Sequence, residues 1–525
     1  MAGHDGRETT FSIAGGAGSI SYSLAEITEA GVKIGRLAQL MEPLADRLEG
    51  EWLWLCQAAA GTAPYPCAAL DAMRAALWTF RRAQADTAEL ASKATAAGAN
   101  YAATEARNAA LGAQFSRIAA LRDGLGTWSL GPLMPWKIAL DAAGQLEQAK
   151  EGGMRDSTEK FLNDGPAYSA GLLGPGFAML YLVAQLRRQS GRNPGVAPAF
   201  AVRKSFDSTG LATPGHLEIR RVPAQEWNPG AAFVPPGRNP PHPTVGQPQE
   251  MEASIHGMLA GSSDAYGYPP GSIAVVQILR PDGTVAWVVH LPGTEDWSTV
   301  DSSNPFDMEG NLEALTAAAH GQFEQEQIMV QELVRAALKE AGALPAQEVL
   351  ITGHSGGGIQ AAAAAASPAF LADVNVKMVV IAGAPARNQN VQSGIAVLDL
   401  QNEHDIVTAA DFGAPPAAAN WVTVTSHRPG GIDGQDPGEV IAQAHSVTNY
   451  LQDAAALDSS SDPAVLDLRE RLGIFLGVGI GAGATVQGMK SVYQGRDVNN
   501  PAPKGTRPGR AVPPRKGTDY SQGSR

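Results

Sequence analysis

Between Val349-Leu350-Ile351 and an alanine-rich run that starts at Gly358 stand Gly353-His354-Ser355-Gly356-Gly357, a G-x-S-x-G pattern set between a strand and a helix. No other feature constrains the fold as strongly. A serine in so tight a strand-to-helix turn is strained, and only very small neighbours let strand and helix approach each other there. The helix start then aims its amide groups at the serine, where they suit a developing negative charge. In a chain with 59 glycines the pattern alone has modest force, and the strand–turn–helix context supplies the rest.

The surrounding periodicity agrees with such a turn. Short β-branched runs predict strands at His216–Val222, Ser272–Leu279, Ala286–Leu291, Glu348–Thr352, Val376–Ile381, Gly394–Leu400 and Trp421–Thr425. Helical stretches fall between several of them, notably Asn311–Ala341 and Gly358–Ala372, which predicts a mostly parallel sheet with helices on both faces. Pro281-Asp282-Gly283 marks an antiparallel hairpin near its start.

The first part of the chain reads differently. Leu24, Ile27, Ile34, Leu37, Met41, Leu44 and Leu48 recur at helical spacing and are expected to face a core, with Pro43 inside the stripe expected to kink or break it. A turn at Gly61-Thr62-Ala63-Pro64-Tyr65-Pro66 separates it from a second long helix with Leu70, Met73, Leu77 and Phe80 as core positions. The pair predicts a long antiparallel helical hairpin. Further helices are expected at Pro135–Lys150 and Phe177–Arg188. The expected organisation is a flexible start (1–20), a helical domain (21–190), a linker (191–200), an α/β domain (201–460), a helix or apolar segment (461–490) and a basic disordered tail (491–525).

A serine needs a base, and the base an orienting carboxylate. In chains with this turn the order is serine, acid, histidine. After Ser355, Asp405 ends an apolar strand where the acid belongs; Glu403 is the alternative, and Asp399 lies inside the strand run. His445 is favoured as the base, with His427 second; His404 precedes the chosen acid. An oxyanion hole would take one amide from Gly356 and the other from Thr294 or Glu295 in Leu291-Pro292-Gly293-Thr294-Glu295, Thr294 being preferred. Asp301–Gly310 and Asn228–Gln249 are candidate lids over an acyl pocket.

Val289-His290-Leu291-Pro292-Gly293-Thr294, the Gly353–Gly357 run, Asp405 and His445 together resemble the α/β-hydrolase fold of lipases and esterases, nearest the class 3 lipases, over about residues 201–457. The resemblance implies carboxylic ester hydrolysis through an acyl-enzyme, with no cofactor and no metal. Class 3 lipases often carry a basic residue before the Gly-Thr pair, where this chain has Pro292. The helical hairpin resembles, more weakly, the WXG-type domains of type VII secretion substrates; Tyr101-Ala102-Ala103-Thr104-Glu105 fits that system's Y-x-x-x-[DE] signal, while a Trp-x-Gly turn is absent. That likeness implies export without a conventional signal peptide, against a cytoplasmic enzyme as the alternative. It also keeps open a non-catalytic or effector-type interaction protein with the helices as binding module.

A net charge of -13 argues against nucleic acid as a partner. The expected partners are a small-molecule or lipid ester, a membrane surface, and a second copy or a secretion partner through the helices. Cys56 and Cys67 flank one turn and fit either a disulfide or two reduced thiols. The apolar runs 170–186 and 472–486 are short and glycine-rich for membrane spans.

Overall fold

The computed structural model describes residues 9–16, 20–179, 181, 215–228, 245–296, 302–320, 328–411, 416, 418–427, 437–479 and 484–498. They form two compact units: Gly18–Gln114 with Ala417–Ala419, and Met1–Ala17 with Phe115–Pro416 and Asn420–Arg525.

The first unit is a helical hairpin of α1 (Ile20–Ala59) and the first part of α2 (Cys67–Ser129). Helix α1 runs through Pro43 without ending there, so the expected break is absent. Its seam is made of small residues: Ala38, Ala45, Ala59, Leu70 and Ala91 are buried, and Ile34, Met41, Leu77 and Phe80 are half-buried. Ile27, Leu37, Leu44, Leu48 and Met73, expected in the core, are exposed. Two helices in contact along alanines bury one narrow stripe each, which leaves the leucine row beside that stripe outside. Arg81 bridges Asp46 at 2.5 Å and Glu49 at 2.8 Å across the hairpin. Cys56 and Cys67 are both free thiols.

The second unit holds helices α3 (Met134–Gly152) and α4 (Met154–Leu172) and a ten-stranded sheet. The strands are β1 (Thr10–Gly15), β2 (His216–Val222), β3 (Pro248–Glu252), β4 (Ser272–Leu279), β5 (Val285–Leu291), β6 (Glu348–His354), β7 (Asn375–Ala382), β8 (Ala396–Asn402), β9 (Trp421–His427) and β10 (Thr485–Val498). Their order is β1-β9-β8-β7-β6-β5-β4-β10-β2, with β3 also on β10. The pairs from β5 through β9 are parallel, and the flanking pairs β4–β5, β4–β10, β2–β10, β3–β10 and β1–β9 are antiparallel. The later α-helices are α5 (Ile255–Ala265), α6 (Met308–His320), α7 (Met329–Ala341), α8 (Gly356–Ala366), α9 (Pro368–Leu371), α10 (Pro437–His445), α11 (Val447–Leu457) and α12 (Pro463–Leu476). The chain is thus a helical region followed by a mixed sheet with helices, parallel from β5 through β9 and antiparallel at its flanks.

Several boundaries differ from the sequence reading. The start is not wholly flexible, because Thr10–Gly15 pairs with β9. Residues 491–498 are not tail: β10 carries the sheet from Gln487–Gln494 on β4 to Val492–Val498 on β2. Glycines and charges hid its period-two pattern, yet Val486, Val492 and Tyr493 are buried and Lys490 pairs with Asp264. The helical domain does not extend to residue 190 as one unit, since the division falls at Gln114. Beyond it, α4 is tied to the segment after β8: Arg155 N donates to Glu403 O at 2.9 Å, Arg155 Nε to Thr408 Oγ1 at 3.1 Å, and Arg387 bridges Glu159 and Asp411. These buried charges need their partners, so α4 belongs with the sheet. The expected Asn311–Ala341 helix is two, α6 and α7, and Gly358–Ala372 is α8 and α9. The linker 191–200, the end of the Phe177–Arg188 helix and residues 499–525 lie outside the described residues. Among the described residues no helix is long and apolar enough to cross a membrane.

Candidate active site

Strand β6 ends at His354 and α8 starts at Gly356, leaving Ser355 alone at the joint with φ 52° and ψ −123°. It is the one non-glycine residue with positive φ among those described, a conformation that a non-glycine residue adopts only when its surroundings enforce it. The surroundings are the glycines. A Cβ on Gly353 would lie 2.3 Å from the Gly357 carbonyl, and one on Gly357 would lie 2.0 Å from the Pro292 oxygen. Ser355 N donates to Ala382 O at 2.8 Å, which pins the turn to the end of β7.

The sequence-chosen partners converge on this serine. His445 ends α10, and its Nε2 is 2.9 Å from Ser355 Oγ. Its Nδ1 is 2.8 Å from Asp405 Oδ2. A carboxylate can only accept, so Nδ1 carries the hydrogen and Nε2 accepts from the serine hydroxyl. Asp405 is fully buried in the turn after β8; Oδ2 also accepts from Tyr450 Oη at 2.6 Å, and Oδ1 from Val407 N at 2.9 Å. His445 remains about one-fifth exposed, open to an arriving group.

The alternatives are not part of this set. Glu403 and His427 pair with each other: His427 Nδ1 donates to Glu403 Oε2 at 2.8 Å, and His427 Nε2 accepts from Ser12 Oγ at 2.7 Å. This second serine–histidine–carboxylate row has the right atoms in the wrong setting. Ser12 sits in mid-strand in β1, opposite Thr425, rather than at a strained helix start. His404 Nδ1 accepts from Met154 N at 3.4 Å, and Asp399 lies inside β8, its carboxyl pushed up to about 7 by burial.

The Pro292-Gly293-Thr294 loop lies beside the turn. A Cβ on Gly293 would sit 3.0 Å from Ser355 Cβ, and one on Gly356 would sit 3.1 Å from Thr294 N. Gly356 opens α8, and the first amides of a helix have no partner within it. The Glu295 amide donates to Phe306 O at 3.0 Å, which directs it away from the turn. Asn311 Nδ2 donates to Thr294 Oγ1 at 2.7 Å and so holds that residue. Of the lid segments, 229–244 and residue 301 lie outside the described residues; 302–310 is fastened by Asp307, which accepts from Ser302 N and Gly310 N.

Glu295 has a consequence for stability. Its carboxyl, half-buried, accepts from Gly271 N at 2.6 Å and Asn304 Nδ2 at 3.0 Å, and the loss of solvent around it pushes it up to about 7. The folded protein therefore holds this proton more tightly than the unfolded chain. The resulting stabilisation is complete below the ordinary carboxyl range and is lost as pH rises to about 7. Glu295→Gln, which cannot ionise, is expected to gain about 2 kcal/mol relative to the parent between pH 4 and pH 8. Thermal melts of both proteins at the two pH values check this; a constant difference would refute it.

Sequence reasoning missed Tyr266, Tyr450 and Asn311, and passed over His354 inside the serine motif. Burial pushes His354 down to about 3, with the nearby His445 charge adding to the effect, so it is a neutral imidazole. The one signal available was an asparagine among the apolar residues of Met308–His320; a tyrosine five positions after the base carries none. No group of three or more His, Cys, Asp or Glu among the described residues is placed to hold a metal ion. Compared with protein-family models, curated proteins and solved structures, the chain matches none.

Proposed function

We propose that the chain is a serine hydrolase of the α/β-hydrolase type, related to lipases and esterases, which cleaves carboxylic esters. One observation carries this reading: Ser355, strained at a strand-to-helix turn, is hydrogen-bonded to His445, which is hydrogen-bonded to buried Asp405. The order of the parallel strands also supports it, with the serine after β6, the acid after β8 and the histidine beyond β9.

In the proposed reaction Ser355 Oγ attacks the ester carbonyl carbon while His445 Nε2 takes its proton. The carbonyl oxygen becomes an oxyanion held by the Gly356 and Thr294 amides. The intermediate collapses, His445 gives its proton to the departing alcohol, and the acyl group stays on Ser355. Water, deprotonated by the same nitrogen, then releases the acid and restores the serine. Asp405 keeps Nδ1–H aimed at itself and stabilises the transient imidazolium.

The competing role, a binding module built on the helices, draws support from exposed Leu37, Leu40, Leu44, Leu48 and Trp54. A fluorophosphonate probe separates the two readings. Labelling is expected to reach one group per chain, mapped to the peptide with Ser355 and not to that with Ser12. A chain that stays unlabelled at Ser355 would be a scaffold rather than an enzyme.

A further inference from the structure

Four groups that the reaction scheme leaves unused form one directed row. Gly293 N–H donates to Tyr266 Oη at 2.7 Å. Tyr266 Oη is 2.8 Å from His354 Nδ1, and His354 Nε2 is 2.9 Å from the His445 backbone oxygen. A carbonyl only accepts, so His354 carries its hydrogen on Nε2. Its Nδ1 is then bare and takes the tyrosine proton, and the tyrosine oxygen takes the amide of Gly293. Every direction in the row is set by that one carbonyl.

The row joins three segments that the proposed chemistry needs in register. Gly293 precedes Thr294 in the oxyanion loop, His354 precedes the nucleophile, and His445 is the base itself. No covalent or strand pairing fixes the base against the oxyanion loop: Gly293 follows β5, while His445 ends a helix about 150 residues later. Resting on the Ser355 reading, we infer that Tyr266 and His354 are positioning residues, which hold the oxyanion loop and the base at their working distances from the nucleophile.

The protonation state of His354 belongs to the same design. Its ring lies 5.1 Å from that of His445 and 5.9 Å from that of Tyr450, with Asp405 beyond. A charge on His354 would oppose the imidazolium that His445 must form, and would give Nδ1 a hydrogen facing that of Tyr266. Burial and the donated tyrosine hydrogen both hold it neutral.

Tyr266→Phe removes the hydroxyl and keeps the ring. With p-nitrophenyl butyrate, kcat is expected to fall about 10- to 100-fold with KM within about twofold, the pattern of displaced reacting groups. A merely structural role would lower the melting temperature and leave kcat unchanged. Should Tyr266→Phe fail to fold, His354→Leu carries the same test, because it offers Tyr266 no acceptor and the His445 carbonyl no donor. A foldable variant with parental kcat overturns the inference. Equal turnover by the parent and Ser355→Ala would instead overturn the underlying reading, and the two failures are therefore distinct.

Discussion

Ser355→Ala is expected to lower kcat for a p-nitrophenyl ester by about five to six orders of magnitude, the scale seen when a triad loses its nucleophile. The protein should remain folded. Alanine carries the same Cβ as serine, so it meets the same strain at φ 52°, and no new clash arises with Gly293 or the β7 end. The change removes the hydroxyl that His445 Nε2 accepts from. The measurement is steady-state turnover of both proteins beside their melting temperatures. Activity within tenfold of the parent, in a variant that melts normally, would dismiss Ser355 as nucleophile. The neighbouring row at Ser12 gives the control: Ser12→Ala should leave turnover unchanged.

Asp405→Asn should cost about four orders of magnitude in kcat with little change in KM, as a wrong tautomer does. The hydrogen bonds explain why asparagine cannot substitute. Oδ1 faces the Val407 amide, a donor, so the asparagine oxygen must go there. That places its NH2 at the Oδ2 position, facing Tyr450 Oη and His445 Nδ1. The tyrosine can turn its hydroxyl and accept. The histidine can accept only by moving its hydrogen to Nε2, where it faces Ser355 and can no longer take the serine proton. The reverse orientation sets two donors against each other at Val407. Glu403→Gln, on the other pair, should be near-neutral for turnover. If instead Glu403→Gln were the damaging change, the acid assignment would pass to Glu403.

The two variants also separate what is local from what is not. The turn at Ser355 could be read from neighbours in the chain, because the β-branched run, the glycines and the alanine run each act within a few residues. Strands β2 and β4 were likewise legible from local β-branched content. Strand β10 was not: residues up to Lys490 read as a helix or apolar segment and Arg496 as tail, and only the ladders with β2, β3 and β4 and the Asp264 pair make the segment a strand. Nor were the exposed leucines of α1 legible, since helical spacing records that a face is apolar and not which face meets the neighbour.

By itself, the sequence determined the strained strand-to-helix turn at Ser355 and the alternation of strands and helices. Those depend on backbone preference and hydrophobic period, which act over short spans of chain. It ranked His445 over His427 and Asp405 over Glu403 without separating them, because each is a polar residue after a strand or beside a helix. Only the tertiary structure made the division, pairing His427 with Glu403 at the β1 edge and His445 with Asp405 under Ser355. Hydrogen bonds between groups tens of residues apart depend on where the sheet brings them, and the row from Gly293 through Tyr266 and His354 to His445 exists only there.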